Sequence, residues 1–127
     1  MENYLKSIEK SFGKVFSNKH FSLESSDETS CVFTNGSSQI DFSYDPSSGL
    51  IQIFVGRAGQ PDTLRDYWQV LFEQGVVDSE HYRLLRKLQQ EGRYTELIRA
   101  GFENNVLPEE QIANAAELIQ EHYESLF

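Results

Sequence analysis

The sequence holds one cysteine, three prolines and three histidines, and no lysine or arginine follows Arg99. A lone thiol, Cys31, excludes an internal disulfide and offers no thiol pair to a metal. His20, His81 and His122 are far apart, and none has a second histidine one helical turn on. No metal is expected. No apolar run reaches the roughly 18 residues that mark a membrane span. The opening MENYLKSIEKSF has helical spacing and lacks the apolar stretch and cleavage site of a secretory signal. A soluble, cytoplasmic protein is expected. Gly56-Arg57-Ala58-Gly59 follows a strand pattern and precedes a helix pattern, as phosphate loops do. It matches neither G-x-G-x-x-G nor G-x-x-x-x-G-K-S/T, so it reads as a strand exit that needs backbone freedom. No cofactor is expected. Ser, His and Asp all occur, but a catalytic triad is a spatial arrangement that presence does not establish.

What the sequence does contain is a core and an uneven charge. With nine Phe, six Tyr and 39% hydrophobic residues, 127 residues suffice for one domain, taken as 1–127. The net charge is −9, and its distribution is graded. Residues 1–19 carry +2, residues 20–61 carry −4, residues 62–102 carry −1, and residues 103–127 carry −6 from six Glu. Such a chain repels nucleic acid and anionic membrane and favours a basic protein partner. Solubility alone also explains an acidic surface.

The period of the hydrophobic pattern sets the elements. Leu5, Ile8, Phe12, Val15 and Phe16 place one amphipathic helix over residues 2–17, with Gly13 a mild weakness. Four strands follow, at His20–Glu24, Ser30–Thr34, Ser38–Tyr44 and Leu50–Gly56, alternating with period two. Ser25, Ser26 and Asp27 separate the first two. Asn35-Gly36 predicts a type I′ hairpin turn, and Asp45-Pro46-Ser47-Ser48-Gly49 a second hairpin loop. Beyond Pro61 the pattern is helical only. One helix spans 62–73, capped by Asp62 or Thr63 and stopped by Gly75; its stripe is Leu64, Tyr67, Trp68, Leu71 and Phe72. A second runs from a cap at Asp78 or Ser79 to about Gln90 and ends at Gly92. A shorter one covers about 94–103, and Asn104-Asn105 breaks the chain. The last starts at Pro108 and lines Ile112, Ala115, Ala116, Ile119, Tyr123 and Leu126 along one face. The fold class is α+β: an N-terminal helix, a four-stranded antiparallel meander, and about four C-terminal helices packed on one face. Asp41, Ser43, Asp45, Gln52 and Phe54 then occupy the wet face of the sheet.

Few residues in this frame call for a functional explanation. Phe54 is an aromatic on the wet face, suited to anchor a protein contact. Arg57 is the one base among residues 20–61, placed to hold a carboxylate or to pair with Asp41 or Asp45. Asp62/Asp66 and Glu117/Glu121 lie one helical turn apart, a spacing open to a cation or to acid–base work and more simply read as solvated charge. Cys31 reads as a packed thiol rather than a nucleophile.

Ser43-Tyr44-Asp45-Pro46 and Ile51-Gln52-Ile53-Phe54-Val55-Gly56-Arg57, set in a small acidic α+β chain, resemble the immunity-type proteins of bacterial toxin systems. The resemblance implies a stoichiometric inhibitor of a toxin, often a basic nuclease, acting by charge and shape complementarity. It transfers no active-site residue. The expected contact set is Asp41, Asp45, Phe54 and Arg57 on the hairpin with Glu117, Glu121 and Glu124 on the last helix, no residue is assigned to catalysis, and the protein is monomeric or a weak homodimer. Two other readings stand beside it. One is a small enzyme or ligand-binding domain with a pocket between sheet and helices near Tyr67, Trp68 and Arg57. The other is an adaptor that self-associates through its sheet edge or the Phe54 face.

Overall fold

A computed structural model describes residues 1–47, 49–76, 80–96 and 107–127. Its centre is a five-stranded antiparallel sheet in sequence order: β1 (Ser22–Ser26), β2 (Ser30–Thr34), β3 (Ser38–Asp45), β4 (Leu50–Arg57) and β5 (Arg65–Asp66). The chain is α+β, as the pattern predicts, but the meander has a fifth strand. Helices α1 (Glu2–Ser11), α2 (Gly13–Lys19), α3 (Tyr67–Glu73), α5 (Pro108–Glu121) and α6 (Tyr123–Leu126) accompany the sheet, together with α4 (Glu80–Gln90) and a single 3₁₀ turn at Pro61–Thr63.

Strand alternation chooses which face is buried. Cys31, Phe33, Ile40, Phe42, Ile53 and Val55 all point to one side, and each is at most 2% exposed. Ile8 and Phe12 of the N-terminal helical segment, Leu71 of α3, and Ile112, Ala115, Ala116 and Ile119 of α5 close over them. Aromatic rings fill the layer: Phe12 meets Phe42 edge-on at 5.1 Å, and Phe16 stacks on Phe33 at 4.3 Å.

The differences from expectation have local causes. The N-terminal helix is two helices, because Phe12 (φ −93°, ψ 4°) leaves helical geometry just before Gly13, with its ring fully buried. The second helix then runs to Lys19, where His20 takes the left-handed conformation (φ 63°). The first strand therefore starts at Ser22 and not at His20, and Leu23 is 42% exposed at the sheet edge. Ser25 and Ser26 belong to that strand; the turn is built by Asp27, whose Oδ1 accepts from the amides of Thr29 and Ser30. The turn at Asn35-Gly36 is not type I′, since only Gly36 has positive φ (90°). Asn35 instead uses its side-chain oxygen to accept from the amides of Ser37 and Ser38, an Asx turn.

The largest departure lies after Pro61. No helix starts at Asp62. The chain makes the 3₁₀ turn, then pairs Asp66 with Phe54 and Arg65 with Val55, and only then enters α3. Asp66, not Asp62 or Thr63, is the cap: its carboxylate accepts from the amides of Trp68 and Gln69. A two-residue strand is too short to show period-two alternation, so it hid inside a helical stripe. Gly75 (φ 73°) and Gly92 (φ 70°) end α3 and α4 as expected. In each, the next residue's amide reaches back five positions, Val76 to the Leu71 carbonyl and Arg93 to the Leu88 carbonyl. The last helix breaks at His122, giving α5 and α6. The caps expected at Asp78 or Ser79, most of the helix over 94–103 and the break at Asn104-Asn105 lie outside the described residues.

Candidate functional site

Three surfaces lie around the core. The first is the outer face of the sheet. Across the strands, Val32, Asp41, Phe54 and Asp66 stand in one cross-strand row, each half-buried. Phe54 is thus on the face the alternation predicts, with Asp41 directly opposite it. Asp41 accepts a hydrogen bond from Gln39 Nε2 at 2.8 Å. Removal from water pushes the Asp66 carboxyl above the usual range, against the opposing pull of the Gln69 and Trp68 amides.

The second is a cleft of about 340 Å³ where β4 leaves the sheet. Ser37 and Ser38 of the Asn35 turn, Arg57, Thr63 and Arg65 give it a polar side, and Val70, Leu126 and Phe127 an apolar one. Gly56 forms part of its wall for a steric reason. A Cβ there would lie 2.9 Å from the Thr63 carbonyl oxygen and 3.0 Å from Leu64 Cα, so the chain beyond Pro61 can cross the strand only above a glycine. The need is for space and not for an unusual φ, which corrects the reading of Gly56 as a flexible exit. Thr63 Oγ1 accepts from the Arg57 amide and donates to the Gln60 carbonyl, tying the crossing down. Arg65 is held by Glu73, whose other oxygen accepts from Gln69 Nε2 at 3.1 Å.

The third is the acidic surface of α5 and α6. Glu109, Glu110, Glu117, Glu121 and Glu124 are all exposed. Glu124 approaches Lys19 Nζ at 3.6 Å with its own side chain 91% exposed, and Lys19 also sits 4.7 Å above the Tyr123 ring. Glu121 is 3.9 Å from His122 Nε2.

The seven residues expected to form one contact set do not share a surface. Asp41 and Phe54 lie on the open face of the sheet, while Glu117, Glu121 and Glu124 ride on helices that cover the opposite face. Arg57 and Asp45 are at opposite ends of the β3–β4 ladder, paired with Ser38 and Leu50 respectively. Seven strand residues separate them, roughly 23 Å at about 3.3 Å per residue. An Arg57–Asp45 pair is therefore excluded, and no ion pair joins Arg57 to Asp41 either. Asp45 serves its turn: Oδ1 accepts from the Ser47 amide at 2.9 Å and the Ser47 hydroxyl at 2.7 Å.

Sequence reasoning passed over Ser37 and Ser38, which the β3–β4 ladder sets beside Arg57, and Arg65, which arrives only through the crossing at Gly56. Cys31 is 1% exposed, and burial pushes its thiol up to about 12, so it is packing material. Among the described residues no three His, Cys, Asp or Glu side chains gather where they could hold a metal ion. No described helix is long and apolar enough to cross a membrane. Comparison with protein-family models, with curated proteins and with solved structures returns no match.

Proposed function

We propose that this chain is a non-enzymatic protein-binding domain that neutralises a co-encoded bacterial toxin carrying a basic surface, acting in the cytoplasm. One observation carries the reading. The five glutamates of α5 and α6 are all exposed, and no lysine or arginine occurs among residues 107–127 to balance them. Carboxylates at Glu109, Glu110 and Glu117 make no ion pair among the described residues, so their field is available to a cationic partner. Unmatched acidity on one side of a small domain speeds encounter with a basic partner and discourages nucleic acid and anionic lipid. The hairpin's likeness to immunity-type proteins supplies the class of partner.

The test is direct. Purified protein is mixed at low salt with the product of the adjacent gene, and association is followed by surface plasmon resonance. A stoichiometric complex is expected. Glu117→Lys, Glu121→Lys and Glu124→Lys combined should lower the on-rate about tenfold at low salt, with the difference fading as salt rises. Unchanged on-rates would remove the helix from the interface. Absence of any complex would end the toxin-inhibitor reading.

A further inference from the structure

We infer that the cleft at the exit of β4 binds a carboxylate, with Arg57 as its principal ligand and a small apolar group seated beside it. The inference concerns a cleft that Leu126 of α6 helps to line, not the exposed glutamates themselves, and goes beyond the partner reading above.

The cleft is assembled from distant parts of the chain: the β2–β3 turn, the end of β4, the 3₁₀ turn, β5, α3 and the C-terminal residues. Most polar groups there are already spent. Ser37 and Ser38 amides go to the Asn35 side chain, the Arg57 amide goes to Thr63, and Arg65 goes to Glu73. What stays unspent is specific. The Arg57 guanidinium has no hydrogen bond or ion pair among the described residues, in a chain whose acids outnumber its bases by nine. The hydroxyls of Ser37 and Ser38 likewise have no protein partner among the described residues, and Ser38 lies directly across the ladder from Arg57. An arginine fork with serine hydroxyls beside it is a matched set of donors for a two-oxygen anion.

Charge and shape narrow the ligand. Glu73 neutralises Arg65, which leaves Arg57 as the cleft's guanidinium without an ion pair among the described residues. A monoanion balances that charge, whereas a phosphate dianion would add a surplus negative charge to a protein already at −9. The remaining wall is Val70, Leu126 and Phe127, which accepts a short apolar body and offers nothing to a polyol or a nucleobase edge. The shared chemistry is a carboxylate on a small apolar residue. A free organic acid and the C-terminus of a peptide both present it.

Titration of the isotope-labelled full chain by NMR tests the assignment. Isobutyrate should shift the amides of Ser37, Ser38, Arg57 and Thr63 saturably, while isobutyramide, its uncharged isostere, should not. Arg57→Gln should weaken isobutyrate at least tenfold, and Ser38→Ala by a smaller factor. Lys14→Gln, on exposed α2, should leave affinity unchanged. Arg57 is solvent-exposed, so its variant keeps the fold, which an unchanged melting temperature confirms. Acetyl-Ala-Val with a free terminus, compared with its amide, separates the sources: tighter binding than isobutyrate identifies a peptide end, and equal or weaker binding a free acid. Both support a carboxylate site. Inorganic phosphate binding tighter than isobutyrate, undiminished binding in Arg57→Gln, or no saturable shift would overturn it. The outcome is independent of the toxin pull-down, because Arg57→Gln leaves α5 and α6 untouched.

Discussion

Gly56, Asp66 and Cys31 each have their neighbours to thank for their chemistry, and each can be tested alone. Gly56→Ala places a methyl against backbone at 2.9 Å, where neither the Thr63 carbonyl nor Leu64 Cα can swing aside. A loss of about 1–3 kcal/mol is expected, read from the urea midpoint. Asp66→Ala removes the acceptor for two α3 amides and should cost about 1 kcal/mol. Asp66→Asn keeps an acceptor and discards a buried charge, so it should cost less and can stabilise. The pH dependence has a definite sign. Burial raises the Asp66 pKa in the folded state, so the folded chain binds that proton more readily than the unfolded one. The contribution is fully present below the ordinary aspartate pKa and is lost as pH rises through the raised folded value. The stability of wild type relative to Asp66→Asn should therefore improve on acidification through that window. Cys31, with its thiol pushed up to about 12 by burial, should resist an aromatic disulfide reagent at pH 8 until the protein is unfolded. Rapid labelling of the native chain would contradict that packing. Of these three residues, only the burial of Cys31 was legible from the sequence. A steric need for glycine and a cap displaced by four residues depend on where a distant segment crosses.

At the scale of elements, polar as well as apolar contacts join the helices to the sheet: Asn35 Nδ2 donates to the Lys19 carbonyl at the end of α2, and a second contact clamps α5. Gln111 on α5 accepts from the Ile51 amide at 2.9 Å and donates to the Gly49 carbonyl at 3.0 Å, so it holds the β3–β4 hairpin against the helix. Gln111→Glu loses the donor and faces the Gly49 carbonyl with a negative charge. A destabilisation of about 1–3 kcal/mol is expected by thermal or chemical unfolding. Nothing in the spacing of α5 marks Gln111, since a glutamine on a helix is normally solvated. The strands were legible because alternation and turn residues are local properties. Ser30–Thr34 matches to the residue, and β3 and β4 each extend one residue further than expected. The β5 strand and the short α3 were not, because the stripe Leu64, Tyr67, Trp68, Leu71 and Phe72 fits a helix equally well. Pairing with β4 outweighs that local preference over Arg65 and Asp66.

Across the whole molecule, the sheet has one buried and one open face, with Asp41 on the open face and Arg57 at the end of β4 on the side of the helices. Arg57 and Asp41 belong to the sheet, and the glutamates of α5 and α6 to the helical layer. One edge of the sheet is β1, five exposed residues with a register shift between Leu23 and Ser25; at the other, β5 covers only Phe54 and Val55 of β4, and the Gln111 side chain takes the Ile51 amide. A short, bulged, serine-rich edge with Glu24 on it is poorly suited to pair with another copy. The protein should sediment as a monomer at high micromolar concentration, and a concentration-dependent dimer would revive the self-associating adaptor.

Composition and periodicity alone determined the α+β class, strands β2 to β4 and the existence of β1, the placement of Phe54 and Asp41 on the face away from the core, the end of α4 at Gly92 and the acidity of the last helices. These follow from side-chain hydrophobicity and backbone preference, which are properties of residues and near neighbours. Tertiary structure decided the fifth strand, the Asp66 cap, the Gln111 clamp and the company of Arg57. Each of those requires two segments far apart in the chain to approach within a hydrogen bond or a van der Waals contact, and no local pattern encodes such an approach.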